Sequence, residues 1–236
     1  MYNMADQPDD KPQGPWLAQI GFAVLAGLAV YGFVDMAKHA EIRRACEPLV
    51  QLRPQYMGFD RAAPDFDLPA WGGGRVKLSD YAGKVVILHF WTKTCKPCLE
   101  ELPLLAKFAE QLKDRKDVAI LAVTIDENQA AINDVVAVSF EGKPPNFPIA
   151  FDPENSIVKG KYGTKLFPET WLIDTAGVIR ARFDGVPMAG EQCDSAWKSA
   201  MILSAIDALK GPAVCDIVVD PKVDPRPEKL IAPCRH

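Results

Sequence analysis

The stretch Trp91-Thr92-Lys93-Thr94-Cys95-Lys96-Pro97-Cys98-Leu99-Glu100-Glu101-Leu102-Pro103 sets two cysteines three positions apart, between an apolar run and an acidic segment. The run before it, VVILHFW at 85–91, is continuous, β-branched and aromatic, the pattern of a strand buried on both faces. Behind the cysteines, Leu99, Leu102, Leu105, Phe108, Ala109 and Leu112 recur at helical spacing. A helix is therefore expected from Lys96 to about Lys113, kinked at Pro103. The pair stands where a strand gives way to a helix, and there the unpaired amides and the macrodipole favour a thiolate. Cys95 is expected to be the exposed thiol, with Lys96 adding positive charge. Pro97 suits the first turn, where its missing N–H would have had no intrahelical partner. Cys98, one turn on, is placed to attack a mixed disulfide formed at Cys95.

A metal site built on the same pair would need a second pair of ligands at comparable spacing. The other cysteines, at 46, 193, 215 and 234, stand apart, and His39, His89 and His236 are scattered. Neither a zinc nor a copper site is expected, and no cofactor is implied.

Outward from the pair, VAILAVTID at 118–126 reads as a second buried strand and QAAINDVVAVSF at 129–140 as a helix. FPIAFD at 147–152 reads as a strand and NSIVKGKYG at 155–163 as a short helix. WLID at 171–174 and VIRARF at 178–183 are strands joined by a hairpin at Thr175-Ala176-Gly177. A last helix is expected over 194–210, stopped by Gly211-Pro212. Upstream, DFDLPAW at 65–71 and RVKLSDYAGK at 75–84 flank Gly72-Gly73-Gly74, a second hairpin signal. Strands alternating with helices, then a hairpin and a helix, give an α/β fold with a mixed central sheet.

The 236 residues, 48% hydrophobic and 25% charged, suit one globular domain with appendages, and a net charge of −4 leaves no basic footprint for nucleic acid. A polar tail over 1–15 precedes WLAQIGFAVLAGLAVYGFV at 16–34, which carries no charge. As a helix this run spans roughly 28 Å, close to the hydrocarbon core of a bilayer. Trp16 and Tyr31 lie near its ends, where aromatic rings favour the interface. A transmembrane anchor over 16–37 is expected. A cleaved signal peptide needs a shorter apolar core and a small-x-small site, of which AKHA at 37–40 is a poor example. A juxtamembrane linker over 38–58, helical to about Arg53-Pro54, would lead into the main domain at 59–211. The basic residues Lys38, Arg43, Arg44 and Arg53 follow the span, so the positive-inside rule alone keeps the large domain in the cytoplasm. Six cysteines, an even count, suit an oxidising compartment instead.

The segment after Gly211, 212–236, holds five prolines and no regular period, and reads as an extended tail. Cys193 and Cys215 flank the last expected helix, whose ends lie roughly 25 Å apart, too far for a disulfide. Cys215 with Cys234 would close a loop of ordinary size and fasten the tail. Cys46 and Cys193 could then pair or remain free.

FWTKTCKPCLEELP resembles the active-site segment of thioredoxin-fold proteins, and APDFDLPAW…VKLSDYAGKVVILHFW resembles the leader of the membrane-anchored TlpA, ResA and cytochrome c maturation branch. The resemblance resumes at YGTKLFPETWLID, 162–174, which is similar to a segment whose proline is cis and faces the cysteines. It covers roughly Ala63 to Leu209 and implies a thioredoxin-like domain in the periplasm, held to the inner membrane by a single-pass anchor. The implied activity is reduction of disulfides in client proteins such as apocytochromes c or copper-site assembly proteins, with recycling by a membrane electron donor. The implied roles are Cys95 as nucleophile, Cys98 as resolving thiol and Pro168 as the cis residue, with Phe167 at a client-contacting position. Glu169 is the acidic neighbour of the cytochrome c maturation branch. Trp91 is expected to wall the site. His89 stands six before Cys95, where thioredoxins carry a buried aspartate and many anchored reductases an asparagine. On a buried strand it would lie under the pair as a neutral ring, able to take the Cys98 proton or to pack as an ordinary core histidine. Glu100 and Glu101 read as first-turn acids complementing the macrodipole.

Two other functions compete. A peroxiredoxin-like (AhpC/TSA) thiol peroxidase shares the leader segment, and Thr92 fits its P-x-x-x-T-x-x-C pattern, but Leu88 stands where the proline belongs. A non-catalytic thioredoxin-fold binding module would have no use for an intact cysteine pair.

Overall fold

Val85–Trp91 (β4) has every side chain buried, as its unbroken apolar run requires, and it lies inside the sheet. The computed structural model describes residues 16–52, 56–57, 61–189 and 194–210. The expectations for 1–15, for 212–236 and for Cys193, Cys215 and Cys234, with the proposed Cys215–Cys234 bond, lie outside the described residues, as does the side chain of Cys46.

The chain opens on helix α1, Trp16–Gln51. Its stretch Ala18–Lys38 is 21 residues long, apolar and exposed, long enough to cross a membrane. By contacts, residues 1–41 form one unit and 42–236 another. In the second unit the order is β1 (Tyr56–Met57), β2 (Asp67–Pro69), β3 (Arg75–Lys77), β4, α2 (Lys96–Gln111) and β5 (Val118–Thr124). There follow α3 (Gln129–Ser139), β6 (Ile149–Phe151), β7 (Glu169–Ile173), β8 (Ile179–Asp184), β9 (Met188–Ala189), β10 (Asp194–Ser195) and α4 (Ala200–Ala208). Short 3₁₀ turns occupy Leu78–Tyr81 and Ala196–Lys198.

Six strands make the main sheet in the order β1-β8-β7-β4-β5-β6. Strands β4, β5 and β6 are parallel, while β7, β8 and β1 add on antiparallel. The mixed sheet is thus as expected. The edge strand Tyr56–Met57, on Arg182 and Ala181, comes from the segment read as a linker, so 38–58 holds part of the sheet. The glycine triplet does turn a hairpin: β2 and β3 pair, with Gly72, Gly73 and Gly74 all at positive φ (84°, 101° and 79°).

Alternation along β4 divides the core. Val85, Ile87 and Trp91 pack on the side of α2, α3 and α4, together with Leu102, Leu105, Ile132 and Ile206. Val86, Leu88 and Phe90 pack on the other side against Phe66, Leu68, Tyr162 and Trp171. By the same alternation His89 belongs to the α2 side.

Two expected helices are corrected. Over 155–163 the chain makes successive turns, because Asn155 sits at φ 57° and the Asp152 carboxylate accepts from the amides of Ser156, Ile157 and Val158. Over 194–210, Asp194 and Ser195 pair with Ala189 and Met188, and a 3₁₀ turn follows. The α-helix starts only at Ala200, where extended Ser199 caps it by accepting from Met201 N.

Candidate active site

The chain leaves β4 into a loop held from beneath by Asp126, a buried carboxylate. It accepts from Thr92 Oγ1 (3.0 Å), Lys93 N (2.8 Å) and Thr124 Oγ1 (2.6 Å). Cys95 N then bonds Thr92 O at 3.1 Å, which fixes the first cysteine relative to the strand end. Two of Asp126's three donors, Thr92 and Lys93, lie 34 and 33 positions away, which no local signal carries.

Cys95 is the N-cap of α2, with extended backbone (φ −92°, ψ 103°), and its Sγ accepts from Cys98 N at 3.2 Å. The two cysteines form a disulfide with Cα atoms 5.3 Å apart. Cys95 is half-buried and Cys98 fully buried, so only the first sulfur meets solvent. Lys96 is exposed and reaches Glu100 at 3.7 Å. Beside the pair an open groove of about 760 Å³ runs between α2 and α3, lined by Lys93, Lys96, Leu99, Pro103, Val135 and Val138.

The register brings a second loop to the same end of the sheet. Phe90 lies opposite Glu169, so Pro168 arrives next to Trp91. The Phe167–Pro168 peptide is cis. Of the four residues expected around a client here, Phe167 alone keeps solvent-facing surface; Trp91, Pro168 and Glu169 are buried. Leu166, unmarked in the sequence reading, is 64% exposed beside them. Glu169 points inward, where its Oε1 accepts from Thr164 Oγ1 (2.6 Å) and Trp171 Nε1 (2.7 Å). Burial raises its carboxyl above the usual range, those two donors oppose the rise, Asp184 adds to it and Arg182 opposes it.

Glu101, expected from the sequence as a first-turn acid complementing the macrodipole, lies in the core. Glu101 is 1% exposed, one helical turn beyond Cys98 on the same buried stripe. Its Oε1 accepts from Trp197 Nε1 at 2.6 Å, and its Oε2 is buried with no hydrogen-bond partner among the described residues. Burial pushes its pKa up to about 8, against the opposing pull of the indole N–H. The signal was available: Glu101 continues the spacing Cys98, Leu102, Leu105, whereas Glu100 points away. His89 is fully buried, its Nδ1 lies 3.0 Å from Thr170 Oγ1, and burial lowers its pKa to about 3. The ring is therefore neutral, as burial on this strand leads one to expect. His89 Nε2 and Trp91 Nε1 likewise have no partner among the described residues. No cluster of three His, Cys, Asp or Glu side chains able to hold a metal occurs among those residues.

The profile of the AhpC/TSA family matches residues 59–182, more than half of the chain. The chain belongs to the AhpC/TSA family. Within that family it is similar to the thiol-disulfide oxidoreductase ResA of Bacillus thuringiensis subsp. konkukian, at 32% identity over 133 residues, 56% of this chain and 73% of that protein. ResA of Geobacillus kaustophilus is 34% identical over 123 residues, 52% of this chain and 67% of that protein. A solved Chlorobium tepidum structure described as the thiol:disulfide interchange protein DsbE matches with a TM-score of 0.53 and 31% identity, covering 65% of this chain and 99% of its own. This AhpC/TSA member has the thioredoxin-like fold and is a thiol-disulfide oxidoreductase of the ResA and DsbE type, and it carries a disulfide between Cys95 and Cys98.

Proposed function

We propose that the protein is a membrane-anchored reductant of disulfides in client proteins outside the cytoplasm, with α1 as the anchor. Apocytochromes c and copper-site assembly proteins are the client classes that fit. The observation that carries the reading is the asymmetry of the pair: one sulfur accessible at a helix N-terminus, the other sealed beneath it beside a buried carboxyl. In the reduced protein the Cys95 thiolate attacks a client disulfide, forming a Cys95–client bond and releasing one client thiolate. Cys98 then gives its proton to Glu101 and attacks Cys95 Sγ; the second client thiolate leaves, and the Cys95–Cys98 disulfide is the product. Glu101 suits the acceptor role because a carboxyl near pH 8 is close to an ordinary thiol, near about 8.5. His89, with a pKa of about 3, is too weak a base for the same task and serves as a packed ring on Thr170. Phe167 and Leu166 offer the client an apolar edge next to the pair, with Pro168 beneath as the cis residue. A membrane electron donor returns the disulfide to the dithiol.

Trapping tests the roles. Cys98→Ser should accumulate client mixed disulfides on a non-reducing gel, and Cys95→Ser should not; the reverse pattern overturns the assignment. A membrane-impermeant thiol reagent should label reduced Cys95 in intact cells stripped of an outer barrier. Labelling only after lysis would place the domain in the cytoplasm, as the charge rule has it. The reduction potential should lie nearer the reducing end, roughly −270 mV, than the oxidising end, roughly −120 mV.

A further inference from the structure

The group that holds Glu101 comes from far along the chain. Trp197 sits in the 3₁₀ turn after β10, 96 positions beyond the glutamate. Its ring is 2% exposed and packs on Phe108 with centroids 5.4 Å apart. The turn is tied at its start by Ala196 N donating to Pro187 O (2.7 Å) and closed by its own bond from Ser199 N to Ala196 O (2.9 Å). Three of the chain's five tryptophans donate their indole N–H to a side-chain oxygen: Trp71 to Asn133, Trp171 to Glu169, and Trp197 to Glu101. Only the last of these acceptors lies one turn from a redox cysteine.

Resting on the reading of Glu101 as proton acceptor, we propose that Trp197 is a positioning residue of the exchange reaction. Its indole N–H orients Glu101 and stabilises the carboxylate, so the segment after the main sheet tunes the proton acceptor of the cysteine pair. Removing the donor would leave a buried carboxylate with no hydrogen bond, and such a group reverts to its neutral acid. Among the described residues no neighbouring charge can substitute for the indole. On β4 the facing groups are neutral His89 and the Trp91 ring, and on α2 Cys98. Asp134 of α3 and Lys198 of the turn are exposed, and Asp207 of α4 is engaged by Arg115 and Lys210. Burial and the indole are the two influences that set Glu101.

The test uses the full-length reduced protein, with Cys46, Cys193, Cys215 and Cys234 changed to serine in the reference and in every variant, and 5,5′-dithiobis(2-nitrobenzoate). Cys95 displaces one thionitrobenzoate, and Cys98 then displaces the second from the Cys95 adduct, so the second release reads the resolving step. In the wild type its rate should rise with pH through an inflection near about 8. Trp197→Phe keeps the ring but loses the donor; it should move the inflection up by about one unit and slow the step about tenfold at pH 7. Site-specific benzothienylalanine at 197, which exchanges only the N–H for sulfur, should do the same without loss of ring volume. An unmoved inflection in either folded variant overturns the role of Trp197 while leaving Glu101 as acceptor. An inflection that persists in Glu101→Gln removes the reading on which the role rests.

Discussion

Two buried carboxyl groups lie on opposite faces of the sheet, and they differ in how completely they are satisfied. Glu169, on the Tyr162 and Trp171 side, receives two donors at 2.6 and 2.7 Å and lies within reach of the opposing charges of Arg182 and Asp184. Glu101, on the α2 side, receives one donor, and its second oxygen has no partner among the described residues. Burial raises both. A carboxyl held by two donors with a cation nearby serves as a strut, whereas one held by a single donor one helical turn from a cysteine can exchange a proton. Burial alone therefore does not mark a functional acid; incomplete satisfaction next to a reactive group does.

Neutralising each carboxyl in turn should separate the two. Glu101→Gln should slow resolution of a mixed disulfide by about a hundredfold at pH 8, while Glu169→Gln leaves that step nearly unchanged. Stopped-flow kinetics on both variants decides it; equal losses would erase the distinction. Glu169→Ala should instead cost about 1–3 kcal/mol in denaturant unfolding, because Thr164 and the Trp171 indole lose their acceptor in the core.

The dependence of stability on pH sharpens it further. Glu101 has a folded pKa raised to about 8 from 4.5, so the stability it contributes is whole below about 4.5 and is lost as pH rises through 8. His89 runs the other way: its pKa of about 3 lies below 6.5, so its contribution is whole above 6.5 and is lost as pH falls through 3. Thermal melts should show Glu101→Gln flattening the alkaline limb and His89→Asn the acid limb. Resolution kinetics should follow the first variant and not the second. The smallest effect belongs to the surface: Lys96→Ala, which removes an exposed pair at 3.7 Å, should change stability by less than about 0.5 kcal/mol.

What could be read from the sequence follows the range of the forces involved. Strand β4, helix α2 and the cysteine junction rest on local periodicity and end effects, and each stands within a residue or two of its expected place. The turns over 155–163 escaped because a carboxylate outside the segment, Asp152, captures its amides. The late start of α4 escaped because Asp194 and Ser195 spend their backbone on a hairpin before Ser199 can cap. At the site, the thiols and the cis-proline segment were visible as motifs. The burial of Glu101 was legible in its spacing with Cys98, Leu102 and Leu105, but its indole partner was not, because Trp197 comes from a turn 96 positions away. His89, conspicuous in the sequence, is neutral as expected but bonds to Thr170.

The central claim, that Glu101 is the acid–base group of the pair, can be measured at the group itself. Selective ¹³C labelling of glutamate side chains, with Glu101→Gln to assign the resonance, gives its titration in the oxidised full-length protein. The expected midpoint is about pH 8. A midpoint near the ordinary glutamate value, about 4.3, would show an ionised carboxylate at neutral pH and contradict it.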